Sequence, residues 1–421
     1  MASCRREEER METPRLSVRS EIGKLKSVLL HTPGRELESL TPEYLDSMLF
    51  EDIPFLEQMR EEHNLFADVL RNQGCEVHYI ESLLETVFAD ESLRNAAVDH
   101  LVESARLYSP SLKKSIAEFL HDCTASQMVS HAIGGLLKST VDDKVRNKTL
   151  SYYIRETYPY YISPLPNLYF TRDPATMVGE GISINVMRTE SRRRENWIIS
   201  LLANHHPLFA GTKVHADYSH GNSIEGGDIL MLNESCALVG SSARTGVWAI
   251  ESFAREMMLP IEEGGEGLKE VLVVQIPYTR AYMHLDTVFT MVDRDKFSIF
   301  GAIEPSLRIF SLKRNSFGAL SIDEEPSLRV ALQRILGTPV DLIRSGGEDS
   351  IASAREQWND STNTLAVAPG TVVTYRRNVV SNETLEQHGI TVIPIRGSEL
   401  VRGRGGPRCM SMPLAREKVD S

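Results

Sequence analysis

The sequence has no apolar run of the roughly 18 residues that a membrane-spanning helix needs, so no such helix is expected. Residues 1–16 also lack the apolar segment of a secretory signal peptide. They are rich in glutamate, unlike organellar transit peptides. We therefore interpret residues 1–16 as a flexible, solvated N-terminal arm and expect a cytoplasmic protein.

Cysteine is scarce. The five cysteines are irregularly spaced, and none forms a CxxC pair: Cys4, Cys75, Cys123, Cys236 and Cys409. The missing pairs argue against a structural zinc site, and the odd, sparse count indicates a reducing compartment rather than a disulfide framework.

Positive charge is in deficit, since 46 Lys and Arg face 58 Asp and Glu, a net charge of −12. This balance disfavours nucleic acid and anionic membranes as partners, because both require clustered basic side chains. It leaves open a small cationic substrate in an acidic pocket. The 41% apolar and 25% charged residues are typical of a folded protein.

Phosphate-binding motifs are absent as well. No GxGxxG opens a helix after a strand, and Gly134-Gly135 is not followed directly by Lys, as a P-loop requires. A nucleotide cofactor is therefore not indicated.

The chain begins with a predicted strand at 24–33, a helix at 54–72 and a strand at 76–80. Residues 81–160 repeat apolar positions every three to four residues, which predicts an inserted module of short amphipathic helices. After Pro164, short strands alternate with helices. The predicted strands are NLYF (167–170), 175–179, 182–186, 228–232, 236–240, 271–276, 283–293, 296–300, 364–368, 371–375 and 390–395.

The segment 397–413 is glycine-rich and ends around Cys409. Glycines permit tight backbone angles and close approach to a ligand. Arg402, Arg404 and Arg408 surround the cysteine, and positive charge favours the reactive thiolate. A surface loop with an incidental cysteine is the alternative.

Two acidic motifs could serve catalysis. His284 and Asp286, two residues apart in an apolar predicted strand, would face the same side and could form a general base with its orienting acid. The segment Glu225-Gly226-Gly227-Asp228 could supply acid/base groups or bind a cation. A structural pair and an ordinary turn are the respective alternatives. The nearby His215, Asp217 and His220 are interpreted as a surface loop, because no further metal ligands accompany them.

Arginines that could clamp a carboxylate follow the predicted strand at 167–170. Arg172, Arg192 and Arg244 are candidates, since an arginine fork matches a carboxylate. Together, a thiol, a histidine, carboxylates and arginines would suit a cationic substrate that is held by acids and attacked by sulfur.

In order and spacing, these segments resemble the arginine deiminase family over nearly the whole chain. The segments that carry the resemblance are 20–34, 40–54, PLPNLYFTRDP (164–174), EGGDIL (225–230), MHLDTVFTMVD (283–293), 363–375 and GSELVRGRGGPRCMSMPLARE (397–417). The resemblance implies an α/β fold of the pentein type, a five-bladed propeller of ββαβ-type pseudo-repeats. Residues 17–80 and 161–421 would form this catalytic propeller, and 81–160 would be its inserted helical domain.

The resemblance also implies the reaction of L-arginine with water to give L-citrulline and ammonia. Cys409 would be the nucleophile that forms a covalent amidino-thioether, and His284 would be the general acid and base. Asp173 and Asp286 would grip the guanidinium group, and Glu225 would partner the histidine. Whether Cys409 is a thiolate before substrate binds remains open.

Further residues match the family's substrate-binding positions. By this resemblance Asn167, Arg192 and Arg244 would bind the α-carboxylate, Asp228 would face the guanidinium, and Arg404 would be a mobile arginine at the mouth of the site. No metal or organic cofactor is expected, and neither nucleic acid nor membrane. A homo-oligomer is expected from the family.

Other enzymes of the same fold, a binding protein and a cysteine protease are the alternative functions. An amidinotransferase, a dimethylarginine hydrolase or an agmatine deiminase would share the fold, although Arg192 and Arg244 favour a substrate with a carboxylate. A non-catalytic arginine-binding protein would not need the complete set of matched side chains. A cysteine protease would need a peptide-binding cleft that no motif specifies.

Overall fold

The computed structural model describes residues 16–105, 107–141, 158–216, 221–258, 267–279 and 281–419. The predicted arm at 1–16 lies almost wholly outside them, as do part of the helical block and Asp217 and His220. In the described part of the chain, no helix combines the length and apolar character that crossing a membrane requires.

Short strands dominate the described chain. They are β1 (Leu25–Leu30), β2 (Glu76–Tyr79), β3 (Leu136–Leu137), β4 (Tyr160–Ile162), β5 (Ala175–Val178), β6 (Gly181–Ile184), β7 (Lys213–Ala216), β8 (Ile229–Asn233), β9 (Cys236–Ser241), β10 (Glu270–Gln275), β11 (Phe289–Met291), β12 (Lys296–Ile299), β13 (Arg308–Arg314), β14 (Leu320–Glu325), β15 (Asp341–Arg344), β16 (Leu365–Ala368), β17 (Thr371–Tyr375), β18 (Thr391–Ile395) and β19 (Met412–Arg416).

The α-helices lie between these strands. They are α1 (Leu56–Asn72), α2 (Ile80–Phe88), α3 (Glu91–Ser104), α4 (Pro110–His121), α5 (Ala125–Gly134), α6 (Lys138–Val141), α7 (Arg193–His205), α8 (Val247–Met257), α9 (Leu328–Leu336), α10 (Ser350–Trp358) and α11 (Val379–Gln387). In the described chain, the helices from residue 80 to residue 134 follow one another without an intervening strand.

One pairing pattern recurs through the described strands. A central strand pairs antiparallel with one neighbour and parallel with the other in β19-β1-β2, β5-β6-β7, β8-β9-β10, β11-β12-β15 and β16-β17-β18. Because a parallel partner needs a crossover connection, a helix lies between the last two strands of each unit. The repeat has no visible period in the sequence and emerges only from strand pairing.

The helices α2 to α5 pack on the strand units through one shared apolar core. Leu84, Val98 and Ile133 from these helices belong to the same buried cluster as Ile182 of β6 and Ile199 of α7. Amphipathic spacing predicted helices in this block, and helices are found there. The domain boundaries themselves stay a prediction.

Two local predictions were wrong. The segment NLYF (167–170) is a run of turns rather than a strand, which brings several of its backbone carbonyls toward the site. His284 and Asp286 do not lie on one strand, because Leu285–Thr287 forms a single 3-10 turn and β11 begins only at Phe289. Polar strands such as β13 and β14 escaped prediction, since they lack a continuous apolar run.

Candidate functional site

Two short turns ahead of strands position the acidic motifs. Gly226–Asp228 forms a 3-10 turn before β8, and the turn at Leu285–Thr287 leads toward β11. The two turns touch, and a Cβ atom on Gly227 would lie 2.7 Å from the His284 ring. Glycine at 227 is therefore required by the close approach of the histidine.

His284 and Glu225 form a buried hydrogen-bonded pair, with 2.7 Å between His284 Nε2 and Glu225 Oε2. Burial alone would lower the pKa of His284, but the carboxylates of Asp173, Glu225 and Asp228 together raise it to about 9. Although burial opposes it, the His284 charge holds the pKa of Glu225 below its ordinary value. The imidazole is thus held as a cation near neutral pH.

Asp173 joins this pair to a buried arginine. Its Oδ1 accepts the Gly227 backbone N–H at 3.1 Å and lies 3.9 Å from His284 Nδ1, while its Oδ2 is 2.8 Å from Arg192 NH1. Arg192 also binds the Glu195 carboxylate at 2.8 Å. The predicted carboxylate clamp Arg192 is therefore already engaged by two acids.

Cys409 is held in a turn by Asn363. The Asn363 Oδ1 accepts the Cys409 backbone N–H at 2.9 Å and that of Gly406 at 3.1 Å, and its Nδ2 lies 3.0 Å from Cys409 Sγ. The preceding glycines allow the loop to approach its neighbours, since a Cβ on Gly405 would lie 2.3 Å from the Phe170 ring. These contacts fix both the backbone and the sulfur of the cysteine.

Acids, rather than arginines, dominate the surroundings of the sulfur. Cys409 Sγ lies 3.6 Å from Asp286 Oδ2, and Arg408 is paired with that same oxygen at 2.7 Å and with Glu21 at 3.1 Å. Burial and the carboxylates of Asp286, Asp173 and Asp360 raise the pKa of Cys409 well above that of an ordinary thiol, against the opposing charge of Arg408. Arg408 does favour the thiolate, as expected from the sequence, but burial and the three acids outweigh its effect on the pKa of Cys409.

The arginines at 402 and 404 do not contact the sulfur either. Arg402 pairs with Asp52 and with Glu399, at 2.8 Å for the latter. The Arg404 guanidinium lies 3.6 Å from the centre of the Trp358 ring. Asp52 and Trp358 are distant from this loop in sequence, so the basic composition of the loop did not reveal these two contacts.

A small cavity of about 20 Å³ is lined by most of the predicted site residues. Its lining residues are Leu49, Asn167, Phe170, Asp173, Arg192, Arg244, Met283, His284, Thr287, Gly403, Arg404 and Cys409. Glu225 and Asp286 stand behind His284 and Cys409 as their hydrogen-bond partners, and they do not line the cavity.

Asp228 is set back from the cavity in the same way. Its Oδ1 accepts the Leu285 backbone N–H at 2.8 Å and its Oδ2 accepts the Ser242 hydroxyl at 2.6 Å. Burial raises the pKa of Asp228 to about 7, although His284 opposes the rise. Asp228 thus braces the turn that carries His284 and does not reach the open space.

Asn167 and Arg244, the remaining predicted residues, both line the cavity, but their side chains differ in how firmly they are held. Asn167 donates from Nδ2 to the Met48 carbonyl at 2.6 Å. Arg244 has a weak contact with Met283 sulfur at 3.6 Å, and its NH1 has no hydrogen-bond partner among the described residues. Arg244 is therefore freer than Arg192 to meet an incoming anion.

Asp173, Glu225 and His284 could also hold a metal ion on distance alone, since one ligand atom from each lies within 4.8 Å of the others. Yet each is already hydrogen-bonded, and Arg192 places a positive charge beside Asp173. The arrangement suits a cationic organic group beside a nucleophile as well as it suits a metal.

Several site residues were not predicted from the sequence. Asn363, Met283 and Leu49 lie within segments that carry the family resemblance, but nothing marked them individually as site residues, because a lone amide or apolar residue is unremarkable until the fold brings it to the cysteine. Arg408 was noticed only as a charge near Cys409, and its pairing with Glu21, 387 positions away, is a tertiary contact.

A family model described as "Arginine deiminase" matches residues 46–416. Curated proteins named "Arginine deiminase" are also similar over nearly the full length. The one from Bacillus cytotoxicus is 46% identical over 414 residues, covering 96% of this chain and 99% of that protein. The one from Streptococcus pyogenes serotype M5 is 44% identical over 413 residues, covering 97% and 99%.

Solved structures share the fold at low sequence identity. An amidinotransferase of saxitoxin biosynthesis from Microseira wollei aligns with a TM-score of 0.55 at 13% identity, covering 97% of this chain and 99% of that chain. The N-terminal domain of a cyanobacterial arginine dihydrolase aligns with a TM-score of 0.52 at 11% identity, covering 93% and 97%. These neighbours show an α/β pentein fold.

Proposed function

The chain belongs to the arginine deiminase family, and on that premise we propose that it hydrolyses L-arginine to L-citrulline and ammonia through a covalent intermediate on Cys409. One observation carries the proposal: the nucleophilic sulfur, the His284 imidazole and the Arg244 guanidinium all line one cavity. The same cavity holds the Asp173 carboxylate, so both ends of an arginine molecule have a complementary charge to meet.

Arg244 is the main clamp for the substrate's α-carboxylate in this proposal. Its NH1 is buried without a partner among the described residues, and a carboxylate would satisfy it. Asn167 and Arg192 border the same space and complete the carboxylate site. Agmatine, which has no carboxylate, would leave this end of the cavity unpaired.

Asp173, which lines the cavity, recognises the guanidinium end, and Asp286, which lies behind Cys409, joins it once the bound substrate has widened the cavity. The Asp286 Oδ1 is buried without a partner among the described residues, although its Oδ2 is paired with Arg408. A substrate cation would supply the missing partner and offset the cost of leaving this oxygen unpaired. Asp228 supports this end indirectly by fixing the turn between His284 and Asp286.

Substrate binding activates the thiol. In the free enzyme burial of the thiol, together with the surrounding acids, raises the pKa of Cys409 and keeps it protonated. A guanidinium cation beside the sulfur reverses the sign of the local charge, so the thiol releases its proton to solvent when arginine binds. Of the two states that the sequence left open, we favour this substrate-activated one.

The thiolate then attacks the guanidinium carbon and forms a neutral tetrahedral adduct. The protonated His284 gives its proton to one terminal nitrogen, and the bond from carbon to that nitrogen breaks to release ammonia. A cationic amidino-thioether on Cys409 and a neutral His284 remain. The Glu225 hydrogen bond orients the imidazole for this transfer.

Water completes the cycle. Neutral His284 takes a proton from a water molecule as its oxygen adds to the amidino carbon, and this restores the imidazolium. Collapse of the adduct expels the Cys409 thiolate, and loss of one proton to solvent yields citrulline. The thiolate takes up one proton from solvent as citrulline leaves, which restores the Cys409 thiol. The net reaction is arginine cation and water to citrulline, ammonia and one proton.

Two structural expectations accompany this function. We infer that the five strand units are blades of a closed propeller around the site, with residues 81–160 as an insertion. Contacts between β19 and β5, and between β1 and β16, support this closure. A homo-oligomer, expected from the family, also remains a proposal.

The direct test is a citrulline assay without added metal. L-Arginine should be converted, Cys409→Ala should abolish turnover, and Cys236→Ala should retain it, since Cys236 is buried in β9 away from the cavity. Arg244→Ala should lower kcat/KM for arginine while leaving any weak activity on agmatine unchanged. Full turnover by Cys409→Ala would defeat the mechanism.

A further inference from the structure

Three arginines follow the carboxyl ends of two neighbouring parallel strands. The strand β17 ends at Tyr375 and is followed by Arg376 and Arg377, and β18 ends at Ile395 and is followed by Arg396. The Arg376 backbone N–H donates to the Ile395 carbonyl at 2.8 Å, so the parallel register continues and places Arg376 beside Arg396. Ligands of α/β folds commonly bind at the carboxyl ends of parallel strands. The mechanism above uses none of these arginines.

The side chains of Arg376, Arg377 and Arg396 carry unpaired charge. All three are exposed, and their guanidinium groups form no ion pair or hydrogen bond within the part of the chain that the structure describes. Like charges that lie opposite each other on neighbouring strands destabilise a sheet. An anion between Arg376 and Arg396 would offset this repulsion, because guanidinium groups donate readily to an oxyanion.

A cavity of about 880 Å³ lies beside these arginines. Its lining includes five arginines and three acids, an excess of 5 − 3 = 2 positive charges in a chain whose net charge is −12. Two of the acids are engaged in other contacts. Asp52 pairs with Arg402, and Glu62 accepts backbone N–H groups from residues 398–400. The cavity is therefore a local positive region on an acidic protein.

The size and walls of the cavity suit a small organic anion. Cavities that bind small molecules measure about 300–1,000 Å³, and an inorganic anion alone would occupy only a fraction of this one. Trp358 lies on the wall with 45% of its surface exposed, while the Arg404 guanidinium covers one face of its ring. The exposed part of the indole offers an apolar surface to the organic part of a ligand.

We propose that this cavity binds a phosphate group, free or carried by a small organic molecule, between Arg376, Arg377 and Arg396. A phosphate monoester carries about 1.5 to 2 negative charges at neutral pH, which matches the excess of two positive charges. The planar guanidinium group donates two parallel hydrogen bonds to a phosphate. Among the described residues, this cavity shares only Arg404 with the catalytic cavity. The site is therefore additional to the proposed reaction and does not depend on it.

The test is calorimetric titration of the full chain with inorganic phosphate and, separately, with phenyl phosphate. About 0.1 M potassium chloride is present, which screens charges more than about 10 Å apart. Both probes should show saturable binding. Tighter binding of phenyl phosphate would identify an organic phosphate as the ligand, and equal affinities would identify inorganic phosphate. Either result supports the site.

Substitutions assign the binding to this cavity. Arg376→Gln and Arg396→Gln should each raise the Kd for phenyl phosphate about tenfold, since each removes a hydrogen bond between charged groups. Arg294→Gln is the matched control. Arg294 is also exposed and has no side-chain partner among the described residues, but it lies between β11 and β12, outside the cavity. Its loss should leave the Kd unchanged.

Thermal unfolding gives a second measurement. Phenyl phosphate should raise the melting temperature of the unsubstituted protein and of Arg294→Gln, and should raise that of Arg396→Gln less. Without ligand, Arg396→Gln should unfold at no lower temperature than the unsubstituted protein, because the change removes a repulsion.

Absence of saturable binding by both probes would overturn the inference. So would equal losses of affinity in Arg294→Gln and Arg396→Gln, because simple charge attraction would then explain the binding. No arginine is present in these titrations. Citrulline formation is measured separately, so failure of the phosphate site and failure of the proposed function can be told apart.

Discussion

Asn363 holds Cys409 at two points, accepting its backbone N–H at 2.9 Å and placing an amide nitrogen 3.0 Å from its sulfur. The two residues are 46 positions apart, and Asn363 lies just before β16. Because the amide faces the sulfur, the proposed mechanism gives Asn363 the role of orienting the nucleophile and stabilising its thiolate.

Asn363→Ala should therefore lower kcat about 10- to 100-fold, the equivalent of one hydrogen bond to a charged group. KM should change much less, because Asn363 does not line the substrate cavity. Asn382→Ala is the control, since its amide bonds the Tyr375 carbonyl and Thr374 instead. Equal losses of kcat in both variants would indicate general destabilisation.

Glu225 should set the upper pH limit of the reaction. The pKa of His284 is raised to about 9, so the imidazolium that would protonate the leaving nitrogen in the proposed mechanism persists below that pH and is lost above it. Glu225→Gln removes one of the raising charges, so the alkaline fall in kcat/KM should begin at least about one pH unit lower. A profile of kcat/KM against pH checks this, and an unmoved alkaline limb would contradict the assignment.

The pair of His284 and Glu225 should also make the free energy of unfolding depend on pH. A pKa raised from 6.5 to about 9 on folding means that His284 contributes its full stabilisation below pH 6.5 and loses it as pH rises through about 9. In urea titrations the free energy of unfolding should therefore fall across this window. The fall should be shallower in Glu225→Gln, where the folded-state pKa is lower.

Gly227 should tolerate no side chain. An added Cβ would lie 2.7 Å from the His284 ring, so Gly227→Ala should displace the imidazole and lower kcat about 100-fold. Gly246→Ala is a matched control, because a Cβ there meets nothing within 4 Å and φ is −89°. Retained activity in Gly227→Ala would mean that the ring can shift without cost.

Arg408 should matter for stability as well as for the site. Arg408→Leu leaves Glu21 and Asp286 as buried unpaired acids, which should cost about 3–5 kcal/mol of unfolding free energy. Arg308→Leu, which removes an exposed pair with Glu324, should cost far less, because solvent screens an exposed pair. Urea unfolding of both variants provides the comparison, and similar small losses would show that the buried pair is dispensable.

Apolar patterning is enough to predict several of the local elements. Strands such as β1 and β10 and the helix α1 follow from apolar runs and helical spacing, and glycine at 74 ends the helical segment with φ of 81°. Motif resemblance also selected Cys409, His284 and Asp173, which the fold brings to one cavity.

The electrostatics of the site, in contrast, depend on contacts between distant parts of the chain. Arg408 looked like an activator of Cys409, but Glu21 and Asp286 neutralise it, and burial outweighs its charge. His284 and Asp286 were predicted to lie on one face of a strand, but they lie in and beside a 3-10 turn, where His284 pairs with Glu225 and Asp286 with Arg408. The residues that neighbour Cys409 in the sequence do not reveal its raised pKa or the pairing of Arg408. Coulomb energies and desolvation depend on which distant side chains the folded chain places within a few ångströms.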